Sequence, residues 1–151
     1  METYNEKQIK LNREILQKRD EAKKRFLTDE SIIRANIEKA RIEQDYQRTK
    51  LQLELDEVLA QRLKLKRDGL TITNETYMQN IKREREIQQQ QHEVKMEYFD
   101  TKRQFNHQLN ILQENYRDEK MKIDDYKAER LLQIERERKE LLSLANENKE
   151  D

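Results

Sequence analysis

The sequence predicts an all-helical protein: a long two-helix antiparallel coiled-coil hairpin, with an extended parallel coiled-coil dimer as the alternative. Three observations lead there. Of its 151 residues, 42% are charged and only 33% apolar, and there is no proline and a single glycine. A compact domain of this length would bury roughly two-thirds of its unfolded surface, which so few apolar residues cannot fill. What remains is dominated by Glu, Lys, Arg, Gln, Leu and Ile, mostly strong helix formers. The apolar residues also recur at helical spacing along nearly the whole chain.

That spacing defines the first helix, expected over about 3–67. Tyr4, Ile15, Phe26 and Ile37 are eleven apart, as are Leu11, Ala22 and Ile33. Eleven residues in three turns keep one stripe facing one way on a nearly straight helix. Glu6 with Lys10, Glu14 with Lys18 and Glu30 with Arg34 place opposite charges four apart, each pair contributing about 0.2–0.5 kcal/mol. Leu27-Thr28-Asp29-Glu30-Ser31-Ile32 resembles a helix start with a hydrophobic staple. Because the eleven-residue stripe runs through it, a continuous helix is expected there, with a kink as the alternative.

The turn is expected at 68–73. Gly69 suits the left-handed residue that ends a helix, and Lys64, Lys66 and Arg67 meet the negative end of the dipole. Thr73 or Asn74 can cap the second helix, about 74–147, with Glu75 in its first turn. Along that helix Val94, Phe105 and Tyr116 form one series, and Thr101, Leu112, Ile123, Ile134 and Ala145 another. Asp118 with Lys122 and Glu135 with Lys139 repeat the charge spacing. Each helix should run about 100 Å at 1.5 Å per residue, with 1–151 forming one coiled-coil unit. In a hairpin, facing residues have a constant sum of position numbers. Phe26 with Tyr116 and Ile37 with Phe105 share one such sum. Leu11 with Ile134, Ala22 with Ile123, and Ile33 with Leu112 share another, and the midpoint falls in the turn. Registers eleven apart in that sum satisfy the pattern equally, and the parallel dimer stays open.

Catalytic chemistry finds little support. His92 and His107 are isolated from any ligand motif. Asp124-Asp125 and Glu43 with Asp45 are paired only in sequence, since neighbours one or two apart on a helix do not face each other. One glycine cannot build a phosphate-cradling loop, so the expectation is a non-enzyme with no cofactor, no metal and no catalytic residue. Asn74-Glu75-Thr76 matches a glycosylation acceptor but reads better as a cap. The absence of cysteine fits a reducing compartment. No apolar run approaches the roughly 20 residues of a membrane span, and no secretion signal opens the chain, so the expected location is cytoplasmic.

Net charge is zero. Residues 1–68 hold 17 basic and 14 acidic residues, against 15 and 18 in 69–151. The basic clusters Lys23-Lys24-Arg25 and Lys64–Arg67, with Leu51, Val58 and Leu65 seven apart, raise the alternative of a nucleic-acid-associated coiled coil. Acidic residues interleave the first cluster, where a DNA-reading helix would be uniformly basic. The favoured function is therefore a protein–protein interaction rod, adaptor or scaffold, with self-association a second route to a partner.

In outline the chain resembles the small export-stalk proteins of flagellar and type III secretion systems, the FliJ and YscO type. The likeness lies in a chain of about 150 residues, charge-rich helices and a central turn at Gly69-Leu70-Thr71-Ile72-Thr73-Asn74. It implies a helical hairpin that engages a hexameric ATPase and an export gate, hence a role in protein transport, and it assigns no individual residue.

Ile42, Tyr46, Leu53, Met96 and Phe99 lie off the main stripe and are the candidate protein-interaction residues. In the hairpin Tyr46 would lie opposite Phe99, gathering the five between the middle of the rod and its turn. Either they widen a thin seam, which is the plainer expectation, or they form an exposed patch of the kind that marks interfaces.

Overall fold

The computed structural model describes residues 2–150. They form two helices, α1 (Tyr4–Arg67) and α2 (Glu75–Glu150), which make 94% of the described residues helical. Among the described residues there is no strand, and no helix is long and apolar enough to cross a membrane.

Local chemistry places the helix ends. At the start of α1, Thr3 Oγ1 accepts from the Glu6 amide (3.2 Å) and Glu6 Oε2 accepts from the Thr3 amide (3.3 Å). This reciprocal capping box satisfies two amides that the helical ladder leaves unpaired. At the end of α1, Gly69 adopts φ 76°. Its amide donates to the Lys66 carbonyl and the Leu70 amide to the Leu65 carbonyl, both at 3.0 Å. This is the Schellman pair of bonds, and the left-handed residue it requires is least costly as glycine. In the connection the Asn74 amide donates to the Thr71 carbonyl at 2.9 Å. Asn74 then caps α2: its Oδ1 accepts from the amides of Thr76 (2.9 Å) and Tyr77 (3.3 Å). Of the two cap candidates the asparagine is used, while Thr73 is hydrogen-bonded to Thr71. α1 is unbroken through Leu27–Ile32, because nothing in that stretch removes an amide from the ladder.

Packing gathers the chain into two compact units: Met1–Ser31 with Leu109–Asp151, and Ile32–Gln108. In the first, Leu11, Ile15, Ala22, Ile123 and Ile134 make the apolar cluster, with Tyr4, Tyr116, Tyr126 and Leu131 against it. Phe26 stacks on Tyr116 with ring centroids 4.5 Å apart. Charges bracket this seam. Lys7 pairs with Glu137 and Arg19 with Asp124, each at 2.8 Å, and Arg25 with Glu119. Partner numbers on α2 fall as numbers on α1 rise.

In the second unit, which carries the turn, Leu51 and Ile87 are buried and Asn80 is the buried polar residue. Val58 and Leu65 on α1, and Val94 on α2, are half-buried at seven-residue steps from them. Further from the turn the seam turns polar: Ala40, Gln44 and Gln47 on α1, and Gln91, Val94, Tyr98 and Thr101 on α2, are all only half-buried. Arg83 pairs with Glu54 at 3.0 Å, and Gln91 donates to Gln52 at 3.5 Å. Here too α2 numbers fall as α1 numbers rise.

Candidate functional site

The five residues singled out from sequence are all solvent-exposed: Ile42 57%, Tyr46 62%, Leu53 61%, Met96 46% and Phe99 47%. On an ideal helix Ile42, Tyr46 and Leu53 lie within about 40° of one another, so they share one exposed side of α1. All five belong to the unit Ile32–Gln108.

Two of the five meet at a groove. Leu53 and Phe99 line an open concavity whose other walls are Gln44, Asp45, Arg48, Thr49, Gln52, Gln91, His92, Lys95 and Tyr98. Ile42, Tyr46 and Met96 lie outside it. The Phe99 ring stands 6.3 Å from that of Tyr98, tilted at 43°. A smaller groove is lined by Ala40, Glu43, Gln44, Gln47, Val94, Glu97, Tyr98 and Thr101. Gln44 and Tyr98 line both, so the two grooves flank one stretch of seam. The cause lies in the residue types. Ala40 is too small, and Gln44 and Gln47 are too well hydrated, to draw α1 tightly against Val94, Tyr98 and Thr101.

Charged groups beside the groove pair along α1. Arg41 reaches Asp45 at 2.9 Å and also pairs with Glu38. The hydrogen bond from Arg41 holds the Glu38 carboxyl below its ordinary value and raises Arg41 in return. In the other unit the Tyr126 hydroxyl donates to Glu14 at 2.7 Å, and with Lys18 nearby it holds that carboxyl down. Lys18 sits 3.8 Å from the Tyr126 ring centre. His92 lines the larger groove beside Gln91 and Lys95. Among the described residues no group of three or more His, Cys, Asp or Glu is placed to hold a metal ion.

Sequence reasoning missed several pairs. Lys10 pairs with Glu2, ahead of α1, rather than with Glu6, and across the helices Glu135 accepts from the Tyr4 hydroxyl. Glu14 with Lys18 is found at 3.5 Å. Also missed was a polar network near the turn, in which Asn80 and Arg62 take part. Its signal was present: Asn80 precedes Ile87 and Val94 by successive steps of seven. An apolar stripe that contains one asparagine marks a seam with a polar layer.

Comparison with protein-family models, with curated proteins and with solved structures finds no match. The functional reading therefore stands on the chain's own residues.

Proposed function

We propose that this protein is a non-enzymatic, cytoplasmic coiled-coil adaptor. In this reading α1 and α2 of one chain fold back as an antiparallel hairpin, and the seam groove of residues 32–108 receives a helix of a protein partner. The observation that carries the reading is the groove itself. It is lined by polar Gln44, Gln52 and Gln91 and by the exposed Leu53 and Phe99. An inserted helix would cover Leu53 and Phe99 and offer partners to the glutamines. Aromatic and aliphatic anchors beside a polar surround are the usual anatomy of an interface. Support for the hairpin comes from the contacts whose numbers run in opposite directions along α1 and α2, and from the capped turn between them.

The export-stalk role implied by the sequence resemblance is a narrower form of this proposal, with an ATPase ring and export gate as the partners. A nucleic-acid-associated coiled coil is the competing class. It predicts retention on DNA that falls steeply with salt, because binding would release counterions.

The test is affinity purification with mass spectrometry from the source cells, comparing the parent chain with Leu53→Ala/Phe99→Ala and with Tyr46→Ala. The groove reading expects the double variant to lose a specific partner while circular dichroism stays helical, and Tyr46→Ala to keep it. A partner retained by the double variant rules the groove out. A partner lost only with Tyr46→Ala moves the site to the outer face of α1.

A further inference from the structure

Asn80 stands in the seam of the unit Ile32–Gln108 with only 5% of its surface exposed. Both polar atoms of its side-chain amide have a partner. Nδ2 donates to the main-chain carbonyl of Val58 on α1 at 2.9 Å, and Oδ1 accepts from Arg62 Nε at 2.9 Å. The same guanidinium goes on to pair with Glu84, one turn further along α2. The Arg62 and Glu84 side chains are themselves largely covered, 17% and 22% exposed. Among the described residues no buried side-chain nitrogen or oxygen lacks a partner.

A leucine at this place would bury more apolar surface, so the asparagine does not maximise stability. Polar seam residues are best understood by what they exclude. Two alternatives compete with the observed pairing. The first is parallel pairing with a second copy, in which each residue meets its own number. Asn80 would then face Asn80 and Arg62 would face Arg62, while the Val58 carbonyl lies about 33 Å away along the helix axis. The second is a slip by one eleven-residue repeat, which the apolar stripe tolerates. That slip carries Asn80 to the level of Gln47 and Leu51 and takes it off Arg62. In the slip the covered amide and guanidinium part from each other; in the parallel pairing two amides bond each other, but two guanidiniums meet as like charges without Glu84, and an unpaired buried charge is far more costly than an unmade apolar contact.

We infer that Asn80, Arg62 and Glu84, closed on the Val58 carbonyl, are a specificity lock that selects pairing of α2 with α1 of its own chain over parallel pairing with a second copy. The inference rests on the intrachain hairpin proposed above. It assigns to these residues the choice of partner helix and of register, whereas the apolar stripe supplies only adhesion.

The chain has no cysteine, so the choice can be read by crosslinking. Gln52→Cys and Gln91→Cys are placed together in the full chain, since these side chains meet across the seam, and treated with a short bismaleimide. With Asn80 present the product should be an internally linked monomer. Asn80→Leu should keep the helical dichroism yet raise the covalent dimer at least about threefold, as removal of a polar seam residue relaxes partner choice. Arg62→Met, which leaves the bond to Val58, should give a smaller rise and serves as the readout if Asn80→Leu folds poorly. An unchanged monomer-to-dimer ratio in both variants overturns the lock. Covalent dimer as the main product of the parent overturns the hairpin, and the lock with it. The two failures are therefore distinguishable.

Discussion

The two compact units are built from the same two helices but close their seams differently. In Met1–Ser31 with Leu109–Asp151 the contact is apolar and aromatic: Leu11, Ile15, Ala22, Ile123 and Ile134, with Phe26 stacked on Tyr116. Lys7, Arg19 and Arg25 seal its edges. In Ile32–Gln108 the buried residues are Leu51, Asn80 and Ile87, and beyond them Gln44 and Tyr98 sit between two open grooves. The repeat differs as well. Leu11 and Ala22, and Ile123 and Ile134, are spaced by eleven, whereas Leu51, Val58 and Leu65, and Asn80, Ile87 and Val94, are spaced by seven. One unit is organised for adhesion and the other for choice. A seam already filled with apolar side chains has nothing left to offer a third helix.

The sharpest way to break this contrast is to empty the apolar seam. Ile15 is 2% exposed, and Ile15→Ala should cost about 2–5 kcal/mol, the usual range for deleting a buried aliphatic side chain. Gln44→Ala, in the polar seam, should shift stability by no more than about 0.5 kcal/mol. Urea titrations of both variants, read by circular dichroism, give the comparison. Equal losses would mean that the polar seam is as tightly packed as the apolar one.

Filling the other seam sharpens the comparison from the opposite side. Gln44→Leu should stabilise the chain by about 1 kcal/mol, through apolar area withdrawn from water. Slower amide exchange should follow in residues 40–51 and 91–101, with little change in 9–22 and 120–134. Loss of partner capture in this variant would tie the open seam to binding. A stability change near zero would show that the glutamine is already well accommodated.

The smallest expected effect is electrostatic. In the first unit Glu14 and Glu137 are held below the ordinary carboxylate value, by the Tyr126 hydroxyl and by Lys7 respectively. Such groups stabilise the fold above the ordinary carboxylate value, and the contribution is lost as pH falls through the depressed folded value. Tyr4 and Tyr126 are raised, chiefly because each donates its hydroxyl proton to a carboxylate, Glu135 and Glu14. Their contribution is complete below the ordinary tyrosine value of 10.0 and is lost as pH climbs through the raised folded value. The first unit should therefore soften at both extremes. In the second unit the resolved carboxylate shift, at Glu38, is a pairing within α1, which weakens only on the acid side. These groups are half-buried or exposed, so salt should shrink the effect. Ultraviolet titration should find a late-ionising tyrosine fraction that Tyr4→Phe and Tyr126→Phe remove. Tyrosines that all ionise together would contradict the two hydroxyl–carboxylate bonds.

The sequence by itself determined the helices and the break between them. Local interactions suffice for that: strong helix formers throughout, Gly69 where the backbone needs positive φ, and Asn74 with a side chain short enough to reach the amides of Thr76 and Tyr77. The apolar stripe also named Leu11, Ala22, Ile123 and Ile134, because helical periodicity brings them to one face wherever that face points. Tertiary structure decided the rest. Tyr46 and Phe99 were paired by arithmetic, yet it is Leu53 that joins Phe99 at the groove, a choice that the position sum does not encode. Lys10 turns to Glu2, and Glu135 to Tyr4, because a long flexible charged side chain takes whichever partner the neighbouring helix or cap presents. The seven-residue spacing of Asn80 from Ile87 and Val94 put it on the seam face without naming its partners. Only the approach of Val58 and Arg62 from α1 withdraws it from water, and that withdrawal gives its hydrogen bonds their power to discriminate.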